Sequence, residues 1–357
     1  VTSAQTTPFG PSGPFGGRSA WVVGGLAAAL LLAWTLAGNA GAGRRADSDP
    51  EALELLRETA AAARRTPYEG TQIRTTLTGG GHTRTAVKVA HATDTVTPLH
   101  GILVQDASST TGGAADVTAT GGLAGFTPAL LALLTRNYTV VQAADDDACG
   151  RAAHVVEARR ADGGTAGRFR IDAETGIMLH RELLDDGGRV VSALGFSDVR
   201  IAEPRTPAVA GASRAAPWAA VGAAEVAGLR GRGWTVPQDL PGGFVLNEVR
   251  RSGPADGGTL HLGYSDGLAA VSVFVQRGRL DERRLAGWRR SGAVFHREDS
   301  QRWAVWAADG HVYTVVTDAP RAASDTVVAA LPQADTGLWG RLRRGVRRIG
   351  TWANPWN

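Results

Sequence analysis

Gly263-Tyr-Ser265-Asp-Gly267 has the G-x-S-x-G spacing with which serine hydrolases present a nucleophilic hydroxyl. That chemistry needs a strand before the serine and a helix after it, so that the turn lifts Oγ clear of the sheet. Thr259 to Tyr264 alternate as a strand does, and the first condition is met. The second is not. Leu268-Ala-Ala-Val271-Ser-Val273-Phe-Val275 places valines at every second position, with no acidic first turn. β-branched and aromatic residues at a period of two form strands. Two strands joined through Asp-Gly make a hairpin. Tyr264, Ser265, Asp266 and Gly267 are therefore turn residues with a structural role.

Other chemistry is sparse. The eight histidines are scattered, without an H-E-x-x-H pair, and the chain has no G-x-x-x-x-G-K phosphate loop. Cys149 is the single cysteine, so it forms neither an intrachain disulfide nor a cysteine metal cage. The carboxylates Asp145-Asp-Asp147 beside it disfavour a thiolate, which makes it an inert thiol. Asp185-Asp186 falls in a turn, where solvation accounts for it. The aromatic residues from Trp234 to Tyr313 read as core of a small β-rich domain rather than a binding platform. The residues themselves assign no catalytic group, metal site or cofactor.

The elements that position these residues follow from the pattern. Residues 1–19 are rich in Pro, Gly, Ser and Thr and will not fold alone. Ala20 to Ala37 is an uncharged run of 18 residues with Trp21 and Trp34 near its ends. As a helix it is about 27 Å long, close to the roughly 30 Å of a bilayer core. Residues 20–42 are read as an uncleaved membrane anchor. A cleavable signal peptide ending at Ala40-Gly-Ala42 is the rival reading. Arg18 on one side and Arg44 and Arg45 on the other leave the orientation undecided.

Ser48-Asp-Pro-Glu51 caps a helix reaching Arg65, with Leu53, Leu56 and Ala60 as its buried stripe. Strands follow at 68–77 and 85–91, a loop at 105–125 and a short helix at 129–135 opened by Thr127-Pro128. Strands at 153–159, 167–172, 177–184 and 189–196, separated by Gly-containing turns, make an antiparallel meander. Residues 203–227, Ala, Pro and Gly around Trp218, read as a linker. A second domain holds the hairpin, a short helix near 281–288, strands at 302–307 and 311–317, and a closing helix from Ser324 to Leu331. The segments are thus 1–19, 20–42, a first domain at 48–202, the linker 203–227, a second domain at 228–332, and a tail at 333–357.

The formal net charge is +4, and Lys88 is the one lysine, the other basic residues being arginine. The excess sits largely in the tail, and no nucleic-acid surface is expected. Arg341, Arg343, Arg344, Arg347 and Arg348 alternate there with Leu342, Val346 and Ile349, between Trp339 and Trp352. This pattern suits contact with a membrane surface as well as a solvated basic tail, since Gly340, Gly345 and Gly350 weaken any helix.

Several of these stretches resemble the RseB/MucB family of extracytoplasmic regulators of anti-sigma factors. Pro67-Tyr-Glu-Gly-Thr71, Gly150-Arg-Ala-Ala153, and Arg168-Phe-Arg-Ile-Asp172-Ala-Glu-Thr-Gly176 followed by Asp186-Gly-Gly-Arg-Val190 are similar to its first domain. Asp239-Leu-Pro-Gly-Gly-Phe244 and Tyr264-Ser-Asp-Gly-Leu-Ala-Ala-Val-Ser-Val-Phe274 are similar to its second. The hairpin around Asp172 is shared with LolA-like lipoprotein carriers. The resemblance implies an α+β protein: a half-open antiparallel barrel wrapped on a helix, then a smaller α+β domain. It implies a non-enzymatic function, binding the extracytoplasmic domain of an anti-sigma factor and shielding it from proteolysis, with lipid-like ligands releasing it. Phe169, Ile171, Met178 and Phe196 are the candidate lining of a lipid cavity. With the anchor, the protein is expected in the cell membrane, single-pass, its body extracytoplasmic. A lipid or lipoprotein carrier, or an envelope scaffold, is the alternative reading. Residues 92–125 and the arginine tail depart from the family pattern.

Overall fold

A computed structural model describes residues 47–79, 81–92, 102–103, 122–204, 218–253 and 258–333. The expected anchor at 20–42 and the arginine tail at 333–357 lie outside the described residues, except for Gln333. Among the described residues, no helix is long and apolar enough to cross a membrane.

The first helix, α1 (Pro50–Arg65), starts where its residues require. The Asp49 carboxylate accepts from Glu51 N at 2.9 Å, Pro50 sits in the first turn, and Arg64 and Arg65 close the last. Ser48 Oγ accepts from Val140 N at 3.0 Å, and Asp49 N donates to Val140 O at 2.8 Å, tying the helix start to the sheet. That sheet has eight strands among the described residues: β1 (Tyr68–Thr78), β2 (Gly81–His91), β3 (Ile102–Leu103), β4 (Thr139–Ala148), β5 (Arg151–Arg159), β6 (Thr165–Asp172), β7 (Met178–Leu184) and β8 (Val190–Ile201). They run antiparallel in the order β3-β2-β1-β8-β7-β6-β5-β4. The outer strands β3 and β4 do not pair with each other, so the sheet is open rather than a closed barrel. Register shifts in the β1–β8, β4–β5, β5–β6, β6–β7 and β7–β8 pairs bend and twist it.

One face of this sheet is apolar and packs on α1 and on α2 (Pro128–Asn137), capped by Thr127. Phe126 meets Phe169 edge-on at 5.1 Å, and its N–H donates to Thr59 Oγ1 of α1 at 3.2 Å. The other face carries cross-strand ion pairs. Arg168 bridges Glu157 and Glu182, and Arg170 bridges Glu182 and Asp146. Those pairs explain why β4 was not foreseen. Asp145-Asp-Asp147 resembles a turn, but Asp145 faces His154 and Asp146 faces Arg170 across the sheet.

The second sheet has nine strands among the described residues: β9 (Ala219–Ala220), β10 (Asp239–Leu240), β11 (Phe244–Ser252), β12 (Thr259–Ser265), β13 (Ala270–Arg277), β14 (Arg289–Ser291), β15 (Val294–Glu298), β16 (Arg302–Ala308) and β17 (His311–Thr317). Their order is β10-β11-β12-β13-β17-β16-β15-β14, with β9 on β11. A 3-10 turn at Glu282–Leu285 stands where a short helix was expected. Helices α3 (Ala223–Gly231) and α4 (Arg321–Ala330) complete the layer. Within the stretch read as a linker, residues 218–227 include a strand and the start of a helix. Trp218 packs against His261 and Phe274, β9 pairs with β11, and α3 buries Val226 and Leu229. Alanine-rich composition resembled a linker because its burial depends on partners far away in sequence. The closing helix begins at Arg321 rather than Ser324, which is buried in its interior.

Candidate functional site

The hairpin β12–β13 is present, and its loop is Asp266-Gly-Leu-Ala269 rather than a two-residue turn. It is also not at the surface. Ser265 Oγ donates to Ala269 O at 2.9 Å and accepts from Gly267 N at 3.0 Å, and the residue is 1% exposed. A hydroxyl so enclosed has neither a base nor an approach for a substrate.

The loop plugs into the first sheet and α2. Asp266 Oδ1 accepts from Leu268 N at 2.8 Å and Ala269 N at 2.7 Å, which shapes the loop. Its Oδ2 accepts from Tyr138 OH at 2.7 Å, and its backbone carbonyl accepts from Asn137 Nδ2 at 2.7 Å. Asn137 Nδ2 also reaches Gly243 O, in the turn before β11, at 3.3 Å. Gly267 has φ +94°, and a Cβ there would lie 2.5 Å from Leu134 Cα. Leu268 rests on Gly167, where a Cβ would overlap its Cδ1. The Leu268 carbonyl accepts from the buried Arg181 guanidinium at 2.6 Å. Burial pushes the Asp266 carboxyl above the usual carboxylate range, despite the Tyr138 and backbone donors, and Asp318 nearby adds to the effect. Burial likewise lowers the pKa of Arg181 and raises that of Tyr264, whose OH donates to Pro237 O at 2.9 Å.

A second contact lies beside the first. Thr76 Oγ1 donates to Ser300 O at 2.7 Å, Arg302 donates to Leu77 O at 3.1 Å, and Gly79 N donates to Glu298 at 3.3 Å. Along this second contact lies a groove of about 630 Å³, with Leu77, Thr78, Asp185, Arg189, Arg302 and Arg321 in its walls. A smaller cavity of about 140 Å³ borders the loop, with Tyr138, Arg160, Leu183, Phe244, Asp266 and Leu268 in its wall.

Phe169, Ile171 and Met178 come together on the apolar face, while Phe196 stacks edge-on against Tyr68 at 5.5 Å. All four are buried, and the cavity beside Phe169 and Met178 is about 10 Å³, too small for an acyl chain. Tyr264 to Gly267 are one constellation, the joint just described. Arg341, Arg343, Arg344, Arg347 and Arg348 lie outside the described residues. Asn137, Tyr138 and Arg181 were not foreseen. One signal for Arg181 was present, since it lies in phase with the buried Leu179 and Leu183 on β7. Among the described residues, no group of three His, Cys, Asp or Glu side chains could hold a metal ion.

An open antiparallel sheet over two helices, fastened by a buried hairpin loop to a second antiparallel sheet, defines an α+β protein built on two sheets. Residues 229–331 match the sequence model of the MucB/RseB C-terminal domain. This segment, similar to that domain, runs from the last turn of α3 to the end of α4 and contains the plug loop. The fold is similar to the crystal structure of MucB, with a TM-score of 0.50 at 19% identity over 81% of this chain and 100% of that one. MucB in complex with MucA(peri) gives a TM-score of 0.45 at 20% identity, over 79% and 99%. The Pseudomonas aeruginosa MucA/MucB complex gives 0.44 at 17%, over 80% and 99%. No curated protein matches the chain in sequence.

Proposed function

We propose that this chain is an extracytoplasmic regulator that binds the extracytoplasmic segment of an anti-sigma factor and modulates its proteolysis, without a catalytic step of its own. The observation that carries the reading is the MucB/RseB C-terminal domain at 229–331, with the Tyr264–Phe274 hairpin at its centre. The groove between the two sheets supports it physically. One extended segment lying there would touch both sheets and would meet the exposed guanidinium groups of Arg189 and Arg321, which pair with Asp185 and Glu298. In this reading the apolar segment at 20–42 tethers the body to the membrane, and lipid acts by loosening the joint that shapes the groove. A free-energy coupling of about 1–3 kcal/mol would suffice for such release.

MucA, bound to MucB in two of the solved structures and as MucA(peri) in one of them, indicates the kind of segment to test. The experiment is a titration of the chain with single-pass anti-sigma segments from its own organism, with and without phospholipid. Binding tighter than about 100 μM that lipid weakens is expected. If none binds while the chain extracts phospholipid from vesicles, the lipid-carrier reading replaces this one.

A further inference from the structure

The excursion from the end of β13 to β15 is charged out of proportion to the rest of the molecule. Between Arg277 and Arg297, seven arginines stand against two carboxylates, Asp281 and Glu282. The local formal charge of +5 exceeds the +4 of the whole chain, a second basic concentration beside the tail. The segment is a 3-10 turn followed by β14, the outermost strand of the second sheet, and all seven arginines are exposed.

Internal pairing uses few of these charges. Arg290 reaches Glu282 at 3.2 Å, Arg284 is 3.7 Å from Asp281, and Arg297 pairs with Asp299 at 2.9 Å. No carboxylate among the described residues lies within ion-pair distance of Arg279, Arg283 or Arg289. Apolar groups sit between the charges. Trp288, Leu280 and Leu285 are partly exposed, with Arg297 over the Trp288 ring at 6.0 Å and Arg290 over Phe295 at 5.0 Å.

Arginine on an edge strand also deters strand pairing. That role would be met by Arg289 and Arg290, and it leaves Arg279, Arg283 and Arg284, off the strand, unexplained. The cavities described above are lined by other residues. Like charge, partly exposed Trp and Leu, and a place at the edge of the sheet together match the headgroup layer of a bilayer. There guanidinium groups meet acidic headgroups and the aromatic ring sits at the boundary.

We infer that residues 277–297 are a docking surface for a phospholipid bilayer rich in acidic headgroups. It would fix the second domain against the membrane independently of the partner groove and of the proposed regulatory function. The contact involves charge and shallow insertion only, and no bond is made or broken.

Backbone amide exchange of the full chain tests this, because it reads the segment itself whatever the anchor and the tail do. With vesicles of phosphatidylcholine containing phosphatidylglycerol, amides of 278–291 should exchange roughly tenfold more slowly, and the protection should fade as salt rises. The combined variant Arg279→Gln, Arg283→Gln, Arg284→Gln and Arg289→Gln should lose that protection, and Trp288→Ala should weaken it. Unchanged exchange with these vesicles would overturn the inference, as would equal protection by pure phosphatidylcholine. Protection by polyglutamate but not by vesicles would replace the lipid surface with an acidic polypeptide.

Discussion

Tyr138, one residue past α2, donates its hydroxyl to Asp266 Oδ2 at 2.7 Å, 128 residues further along the chain. This bond closes the side of the plug loop that faces the first domain. Arg181, on β7 of the same first sheet, holds the loop as well by donating to the carbonyl of Leu268. The two domains are thus joined through buried polar groups, which lose far more when left unpaired than surface groups do.

Tyr138→Phe leaves an Asp266 oxygen buried without this donor. A loss of about 1–3 kcal/mol in unfolding free energy is expected, read from urea denaturation. A change below a few tenths would show that the bond is not part of what holds the joint.

Gly267→Val should be far more damaging. The position has φ +94°, and a side chain would overlap the Leu134 backbone. Strain and overpacking each cost about 1–3 kcal/mol. The variant is expected to unfold at least 2 kcal/mol more easily, or to accumulate as aggregate, with domain separation visible in limited proteolysis.

Ser265→Ala should preserve partner binding while costing about 1 kcal/mol of stability, because both hydrogen bonds of Oγ stay within the loop. A fluorophosphonate probe should leave Ser265 unlabelled in the native chain. Labelling there would mean that the serine is accessible and activated.

Two buried aspartates should show opposite pH dependence. Burial raises the Asp266 pKa, so the folded chain holds that proton to higher pH than the unfolded chain does. The stability this contributes is complete below the unfolded value of about 3.9 and is lost as pH rises through the raised value. Asp266→Asn should remove that decline, and the test is the urea midpoint of both proteins between about pH 4 and 7. Parallel curves would show that Asp266 titrates as it does in the unfolded chain.

Asp172 is the reverse case. Burial opposes its ionisation, but paired bonds from Arg151 at 2.7 and 3.0 Å and donors from Thr175 outweigh it, and its pKa falls. Its stabilisation is present above the unfolded value of about 3.9 and is lost as pH falls through the lowered one. Asp172→Asn should cost about 2 kcal/mol at neutral pH, a discounted value because Arg151 is partly exposed, and less in acid. An equal cost at both pH values would point to lost hydrogen-bond geometry rather than charge.

Local physics made much of this architecture legible in the sequence. Ser48-Asp-Pro-Glu51 and Thr127-Pro128 mark helix starts because capping is settled within a few residues. Alternation at 153–159, 167–172 and 311–317 marks strands because one face of each is buried. The hairpin Thr259–Arg277 was readable for the same reason. Asp145-Asp-Asp147 concealed β4, since its ion pairs come from β5 and β6, and the contacts of Trp218 were not legible, since its partners are His261 and Phe274.

The sequence by itself determined that Ser265 sits between two strands rather than on a strand-to-helix elbow, because the residues on both sides alternate as strands do. Only the tertiary structure decided that the loop after it is buried and joins the domains. Asp266, Tyr138 and Arg181 are far apart in the chain, and nothing local to any of them encodes the approach of the others. The folded sheets bring them within hydrogen-bond distance, and it is the exclusion of water at that joint that gives their contacts weight.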